Sequence, residues 1–477
     1  MKKFVRLSAV LVAFIILISS VGTTLALNEG IDYSYSVNEN FERATLPETF
    51  KVSSIISGSF DGKEMAMPED MFIAKDGFVY IADTGNDRIL KLTTDGEFVL
   101  SYKAEDAGGL NGPKGVYVTP KGEIYIADTG NKRLLALNAD GTLRKEFPKP
   151  KSELLSDTMI YEPTKIMVNN SELIYVVMGK EFMSITQKNE FFGYLGSDNV
   201  GFSLKNMFIN MFASETQKAL ITKVQPSAYN NFDLGSDGIV YAVANSRKDQ
   251  IKKITSVGEN IYEEKFFGEY VYDKNNVMIV PYYNDIAVDD SGLIYVCETN
   301  SKTIYQYDQK GNSISTFGGS GDTRGYFSMP VALDIDAKGR VFVLDSERGN
   351  IQIFEQTYFM EQVSLALTYF ENGRYDDANS VLNQIVELNS SYAFAHDVLG
   401  TIELKKKNYS KAMEHFEISG NQEDYGTAYG KLLHDKITDN FGIVAIAVIV
   451  AVFAIAIGLG KFKKIADKWN RELFHID

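Results

Sequence analysis

Between residues 60 and 355 short apolar runs alternate with turn residues at a regular spacing. Phe78-Val79-Tyr80-Ile81-Ala82-Asp83-Thr84-Gly85-Asn86-Asp87-Arg88 and Glu123-Ile124-Tyr125-Ile126-Ala127-Asp128-Thr129-Gly130-Asn131-Lys132-Arg133 align without gaps at an offset of 45. Weaker copies run through 172–177, 237–245, 291–298 and 338–345, which makes six units. Each reads as four short strands; in the second unit they fall at 115–118, 124–127, 133–137 and 143–147, apolar and bounded by turn residues. Such a unit cannot cover both of its faces alone, but a ring of them covers every face with a neighbour. The expected fold is therefore mainly β, a six-bladed β-propeller over residues 48–355. The glycine of each Asp-Thr-Gly-Asn segment is expected to turn the chain with φ > 0, while Asp and Asn bond nearby backbone. The last unit runs out after a third strand at 351–354. Phe50-Lys51-Val52-Ser53-Ser54-Ile55-Ile56 is expected to supply the missing fourth strand and close the ring.

Elsewhere the apolar period is helical. The spacing between units three and four stretches to admit residues 196–228, where Met207, Phe208, Met211 and Phe212 fit one face of a helix. This insertion is expected to cap the propeller or to present a docking surface, and those four residues are its candidate binding residues. After residue 355, Leu365, Ala366, Tyr369, Ala378 and Leu382 line up with Leu399, Gly400, Glu403, Ala412 and Phe416 at an offset of 34. That is the TPR length, and it predicts a small α-helical, TPR-like domain over 356–438 with a capping helix at its end. Glu403 departs from the aromatic residue expected there.

Two apolar segments frame the chain. Residues 1–26 read as a signal peptide, with a basic start, an apolar run and Thr24-Leu25-Ala26 as a cleavable small-x-small end. Residues 441–460 hold no charge and are long enough to cross a bilayer. Lys461, Lys463, Lys464, Lys468 and Arg471 follow at once. The basic flank predicts a cytoplasmic tail over 461–477, amphipathic in pattern, and an extracytoplasmic location for everything before the span. The expected localisation is a single-pass protein of the cell membrane. Both ends are basic, so the formal charge of −15 understates how acidic the middle of the chain is. An acidic middle argues against nucleic acid as a partner. The single cysteine, Cys297, lies in an apolar strand and reads as core.

The repeated Asp-Thr-Gly-Asn-x-Arg signature resembles the NHL repeat. The resemblance implies a six-bladed propeller that serves as a binding platform, with lactonases and a histidine-dependent amidating lyase among its relatives. It is also similar to bacterial membrane-anchored NHL-repeat proteins, often labelled gluconolactonase-like, which suggests an accessory role beside a membrane transporter. Asp83, Asn86, Arg88, Asp128, Asn131, Arg133 and Asp345 carry the signature and are expected to be structural. All four histidines lie after residue 355, so the propeller has no histidine for metal or base chemistry. No catalytic residue and no metal ligand is assigned. A Ca²⁺-dependent lactonase needs only oxygen ligands, for which Glu69, Asp70, Asp83, Asp128, Asp285, Glu298 and Asp345 are available. The leading expectation is a non-catalytic binding or scaffold protein, without cofactor, that contacts another membrane or extracytoplasmic protein. A divalent-metal lactonase or hydrolase at the propeller channel is the alternative.

Overall fold

The computed structural model describes residues 34–38, 40–152, 155, 159–179, 181–196, 228–255, 258–262 and 265–474. The expected signal peptide and almost all of the 196–228 insertion lie outside the described residues. Six sheets stand around a ring. The first strands of the six blades are Asp70–Ile73, Gly115–Val118, Pro163–Val168, Ala228–Leu234, Tyr283–Val288 and Pro330–Ile335. Each lies beside the first strands of two neighbouring blades, so together they wall a central channel. The second strands, such as Ile124–Asp128, are buried along their whole length because both blade faces are covered.

The ring is closed from the N-terminal side. A strand β3 (Phe50–Ile56) pairs antiparallel with Asn350–Gln356 of blade 6, with Phe50 opposite Gln356 and Ile56 opposite Ile351. Two shorter strands precede it, β1 (Ser34–Val37) and β2 (Arg43–Leu46). They form a hairpin that the repeat pattern did not announce, added to the outer strand of blade 5, which becomes six-stranded. Arg43 fastens this hairpin through a two-pronged contact with Glu269, one prong at 2.7 Å. Tyr35 and Tyr305 donate to the same carboxylate. Blade 4 departs from four strands in the other direction and has three among the described residues. Where a fourth strand would begin, the Asn260 side chain accepts the Lys253 N–H at 3.1 Å, and only an isolated bridge joins Ile254 to Asn260.

The chain leaves blade 6 directly into helices. These are α1 (Tyr358–Glu371), α2 (Tyr375–Leu388), α3 (Ala393–Lys405), α4 (Tyr409–Ser419), α5 (Gln422–Asp439) and α6 (Phe441–Phe474). The small residues at the offset of 34 sit where helices touch. A Cβ on Gly400 would meet the Phe416 ring at 2.7 Å. Glu403, out of pattern by sequence, is buried and accepts from Asn408 Nδ2 at 2.7 Å, so its carboxylate holds the turn between α3 and α4. Helices α1 to α3 share one hydrophobic cluster with blades 5 and 6 and with Leu46 and Phe50. Tyr392 donates to the Ile314 carbonyl of blade 5 at 2.9 Å, and Asn389 to the Thr45 carbonyl of β2 at 2.9 Å. The last helix, α6, is long and apolar enough to cross a membrane, and its apolar stretch is exposed on every side. It runs on without a break through the basic segment after residue 460.

Phe50 is buried in the closing strand against Phe317, with ring centroids 4.4 Å apart, whereas Ile55 of the same strand is exposed. Phe50→Ala is expected to lower the unfolding free energy by about 3–5 kcal/mol. Ile55→Ala is expected to change it by about 0.5 kcal/mol or less. Urea titrations of the two variants check the pair.

Candidate functional site

The signature residues build a clamp. Asp83 Oδ1 accepts the Ala66 N–H at 2.8 Å, and its Oδ2 receives Asn86 at 3.0 Å and Arg88 Nε at 2.7 Å. Arg88 continues to the carbonyls of Phe60 and Lys63 at 2.6 and 3.1 Å, and Asn86 to that of Glu64 at 2.8 Å. Asp128, Asn131 and Arg133 repeat this on Asn111, Ala107 and Gly109. In blade 6, Asp345 accepts from the Ser328 and Met329 N–H groups, and Arg348, three residues on, holds the Tyr326 carbonyl at 2.8 Å. Each clamp thus ties the turn after a second strand to the segment entering its blade. Thr84 and Thr129 reach onward to the carbonyls of Pro113 and Pro163 in the next blade, at 2.7 and 2.6 Å.

The expected role of the signature glycine needs correction. Gly85 and Gly130 do not have positive φ; the left-handed residues are Asp87 and Lys132, two positions later. The glycines are required by close approach instead. A Cβ there would lie 2.7 Å from the Ala66 carbonyl oxygen and 2.6 Å from that of Asn111.

A second set of polar side chains lines the channel. The free edge of each first strand leaves main-chain groups pointing at the ring axis, and these need partners. Asp70 accepts from Val116 N at 2.9 Å, and Asp285 from Leu333 N at 2.7 Å. Asp233 accepts from Val288 N at 2.8 Å, and Asp334 from Ile73 N at 2.6 Å. Asp70 and Asp285 hold one register position, facing Ala82 and Cys297 in their second strands; Asp233 and Asp334 lie two residues deeper, facing Tyr241 and Phe342. Four aspartates thereby staple blade 1 to 2, 5 to 6, 4 to 5 and 6 to 1. Asn230 and Asn284 do the converse, donating to the carbonyls of Tyr283 and Val331 in the following blades at 2.7 and 2.8 Å.

Among the described residues one cation sits in this collar. Lys165 of blade 3 reaches Asp70 of blade 1 at 2.8 Å, and both are buried. Between them stands Gly115, where a Cβ would meet the Thr164 carbonyl at 2.6 Å. Burial works against the Lys165 ammonium, but Asp70 and Asp285 together hold its pKa above the usual lysine range. Burial pushes the Asp70 carboxyl up and Lys165 draws it back. Burial also pushes Asp233 up to about 6 and Asp285 up to about 7. Asp285 Oδ1 has no hydrogen-bond partner. Among the described residues four carboxyl groups and one ammonium meet in the collar, and burial pushes Asp334 well up as well, so bound protons together with Lys165 offset its negative charge.

The sequence-stated acids therefore separate. Asp83, Asp128 and Asp345 belong to clamps; Glu298 accepts from Tyr282 N and Ser301 in the same manner. Glu69 pairs with Lys114 at 2.8 Å in a half-exposed contact. Only Asp70 and Asp285 enter the channel, with Lys165, Asp233 and Asp334, which the repeat alignment did not single out. A charged residue inside a first strand was the available signal. Among the described residues no group of three or more His, Cys, Asp or Glu side chains could hold a metal ion. His396 and His415 meet Nδ1 to Nδ1 at 3.0 Å between α3 and α4. Met207, Phe208, Met211 and Phe212 lie outside the described residues.

Comparison with known proteins gives the following. Residues 110–137 match the model of the NHL repeat. No curated protein matches the chain. Among solved structures, a virginiamycin B lyase from Staphylococcus aureus is similar at 15% identity and a TM-score of 0.39, over 68% of this chain and 87% of that one. A gluconolactonase from Xanthomonas campestris is similar at 10% identity and a TM-score of 0.42, over 69% and 99%. An auxiliary nutrient binding protein from Bacteroides thetaiotaomicron is similar at 11% identity and a TM-score of 0.43, over 66% and 79%. None of these likenesses carries a residue role across.

Two outcomes are expected. Arg88→Ala leaves Asp83 charged and buried, and should cost about 3–5 kcal/mol in a denaturant titration. Asp233 and Asp285 keep their protons in the folded state to higher pH than in the unfolded chain, where a carboxyl titrates near 4. The stability they contribute is full below about pH 4 and is lost as pH rises through about 6 and about 7. Thermal midpoints should therefore fall between about pH 4 and about pH 7, and Asp233→Asn with Asp285→Asn should reduce that slope.

Proposed function

We propose that the chain is an extracytoplasmic binding or scaffold protein, held to the membrane by α6, whose propeller and TPR-like helices contact another membrane or extracytoplasmic protein. The observation that carries this reading is the continuity from platform to anchor. Blades 5 and 6 share a core with α1 to α3, and the helices end in an apolar helix exposed on every side. An apolar surface of that length has no place in water, and a bilayer would cover it. The basic residues after position 460 support a cytoplasmic tail. A partner near a transporter fits the membrane location, and the 196–228 insertion is the candidate contact.

The lactonase reading finds less support. It needs oxygen ligands converging in the channel, whereas Asp70 is bonded to Lys165 and Val116, and the signature acids are held in clamps.

The full chain is expected to stay in the pellet when membranes are extracted at alkaline pH, and a chain ending at residue 440 to be released. Affinity capture from solubilised membranes should recover a specific partner with the full chain and lose it when 196–228 is removed. Recovery of the same proteins with both forms would count against the insertion; recovery of none with either would count against a scaffold.

A further inference from the structure

Helix α3 ends in Lys405, and the turn Lys406-Lys407-Asn408 leads into α4. This is a concentrated basic run in an acidic protein. The turn lies against α5, and a cleft of about 420 Å³ opens between them, lined by Lys405, Lys407, Tyr409, Lys431, His434 and Asp435 together with Leu404 and Gly430. Lys405, Lys407 and Lys431 are exposed and form no ion pair among the described residues; the nearby Lys406 is taken by Asp376 at 2.6 Å. Asp435 is the one carboxylate in the lining.

The position of the cleft gives these charges a direction. Helix α5 runs past the turn toward α6, with only Asn440 between the two helices, and the Asn440 N–H still bonds to the Lys436 carbonyl. At the rise of an α-helix, Lys431 lies about 15 Å and His434 about 10 Å along the axis from Phe441. The headgroup layer adds roughly 5–7 Å on each side of the hydrocarbon core, so the His434 end of the cleft opens just above it and the flexible lysine stems narrow the remaining distance.

We propose that this cleft binds the headgroup of an anionic phospholipid in the leaflet facing the propeller. The proposal rests on α6 spanning the membrane. The lysines meet the phosphate as point charges, and Leu404 and Tyr409 give the glycerol end an apolar floor. The contact adds a second hold, beyond α6, on the height and tilt of the helical region above the bilayer.

The test uses the full chain, purified in neutral detergent, with Lys461, Lys463, Lys464, Lys468 and Arg471 changed to Ala so that the basic tail does not contribute. Phosphatidylglycerol and phosphatidylcholine are titrated separately, and retained lipid is read by native mass spectrometry. Each lysine near an anionic surface is worth roughly fivefold in binding. Lys405→Gln, Lys407→Gln and Lys431→Gln together should therefore weaken phosphatidylglycerol retention more than 10-fold and leave phosphatidylcholine unchanged, with the same thermal midpoint. Equal retention of the two lipids, or no loss in the triple variant, would overturn the proposal. Displacement of the lipid by inorganic phosphate at equal concentration would overturn the lipid assignment in favour of a free-phosphate site. Release of the chain from alkaline-washed membranes reports failure of the anchor, whereas a chain that stays in the pellet yet shows no lipid preference reports failure of the cleft alone.

Discussion

A ring of sheets holds only while its first and last blades are joined, and here one strand from the start of the chain makes that join. Phe50–Ile56 pairs along the outer strand of blade 6, bringing residues roughly 300 positions apart into register. The remaining N-terminal hairpin extends blade 5, the next blade round. The helices start at the same place: Thr357 N–H bonds to the Thr49 carbonyl, one residue before the closing strand. Closure, hairpin and helical region thus meet at a single seam between blades 5 and 6. Opening that seam exposes sheet edges and uncovers the cluster that α1 to α3 share with the propeller.

The inside of the ring follows from the same constraint. Each first strand has one edge with no neighbouring strand, and aspartate and asparagine side chains from adjacent blades supply the missing partners. Carboxylates gathered for that purpose repel one another in a buried space. Lys165 offsets part of the repulsion, and protonation of Asp233 and Asp285 offsets more. The collar is thus first a device that joins blades. Its acidity is a consequence, and this weakens any argument that reads an acidic channel directly as a metal site.

The blade count and the closing strand were legible because both follow from hydrophobic spacing. Alternating apolar runs and the Asp-Thr-Gly-Asn turns mark each blade, and a unit lacking its fourth strand predicts a strand elsewhere. The hairpin at Ser34–Leu46 was not legible, since two four-residue strands leave too short a pattern. Gly85 and Gly130 were assigned to the right turn for the wrong reason: a sequence shows that a glycine is needed, but not whether a torsion or a close contact demands it. The channel collar was missed for a related cause. Lys165, Asp233 and Asp334 come together only through the ring, from blades far apart in sequence, and no local spacing records which inner position faces which.

The central claim is that the seam makes propeller and helical region one cooperative body. Scanning calorimetry of a chain spanning residues 28–440, followed in parallel by far-ultraviolet circular dichroism at helix and strand wavelengths, tests it directly. The account predicts one transition, with both signals moving together and the calorimetric enthalpy equal to the van't Hoff value. Two separated transitions, the helical signal melting while the strand signal stays, would contradict it.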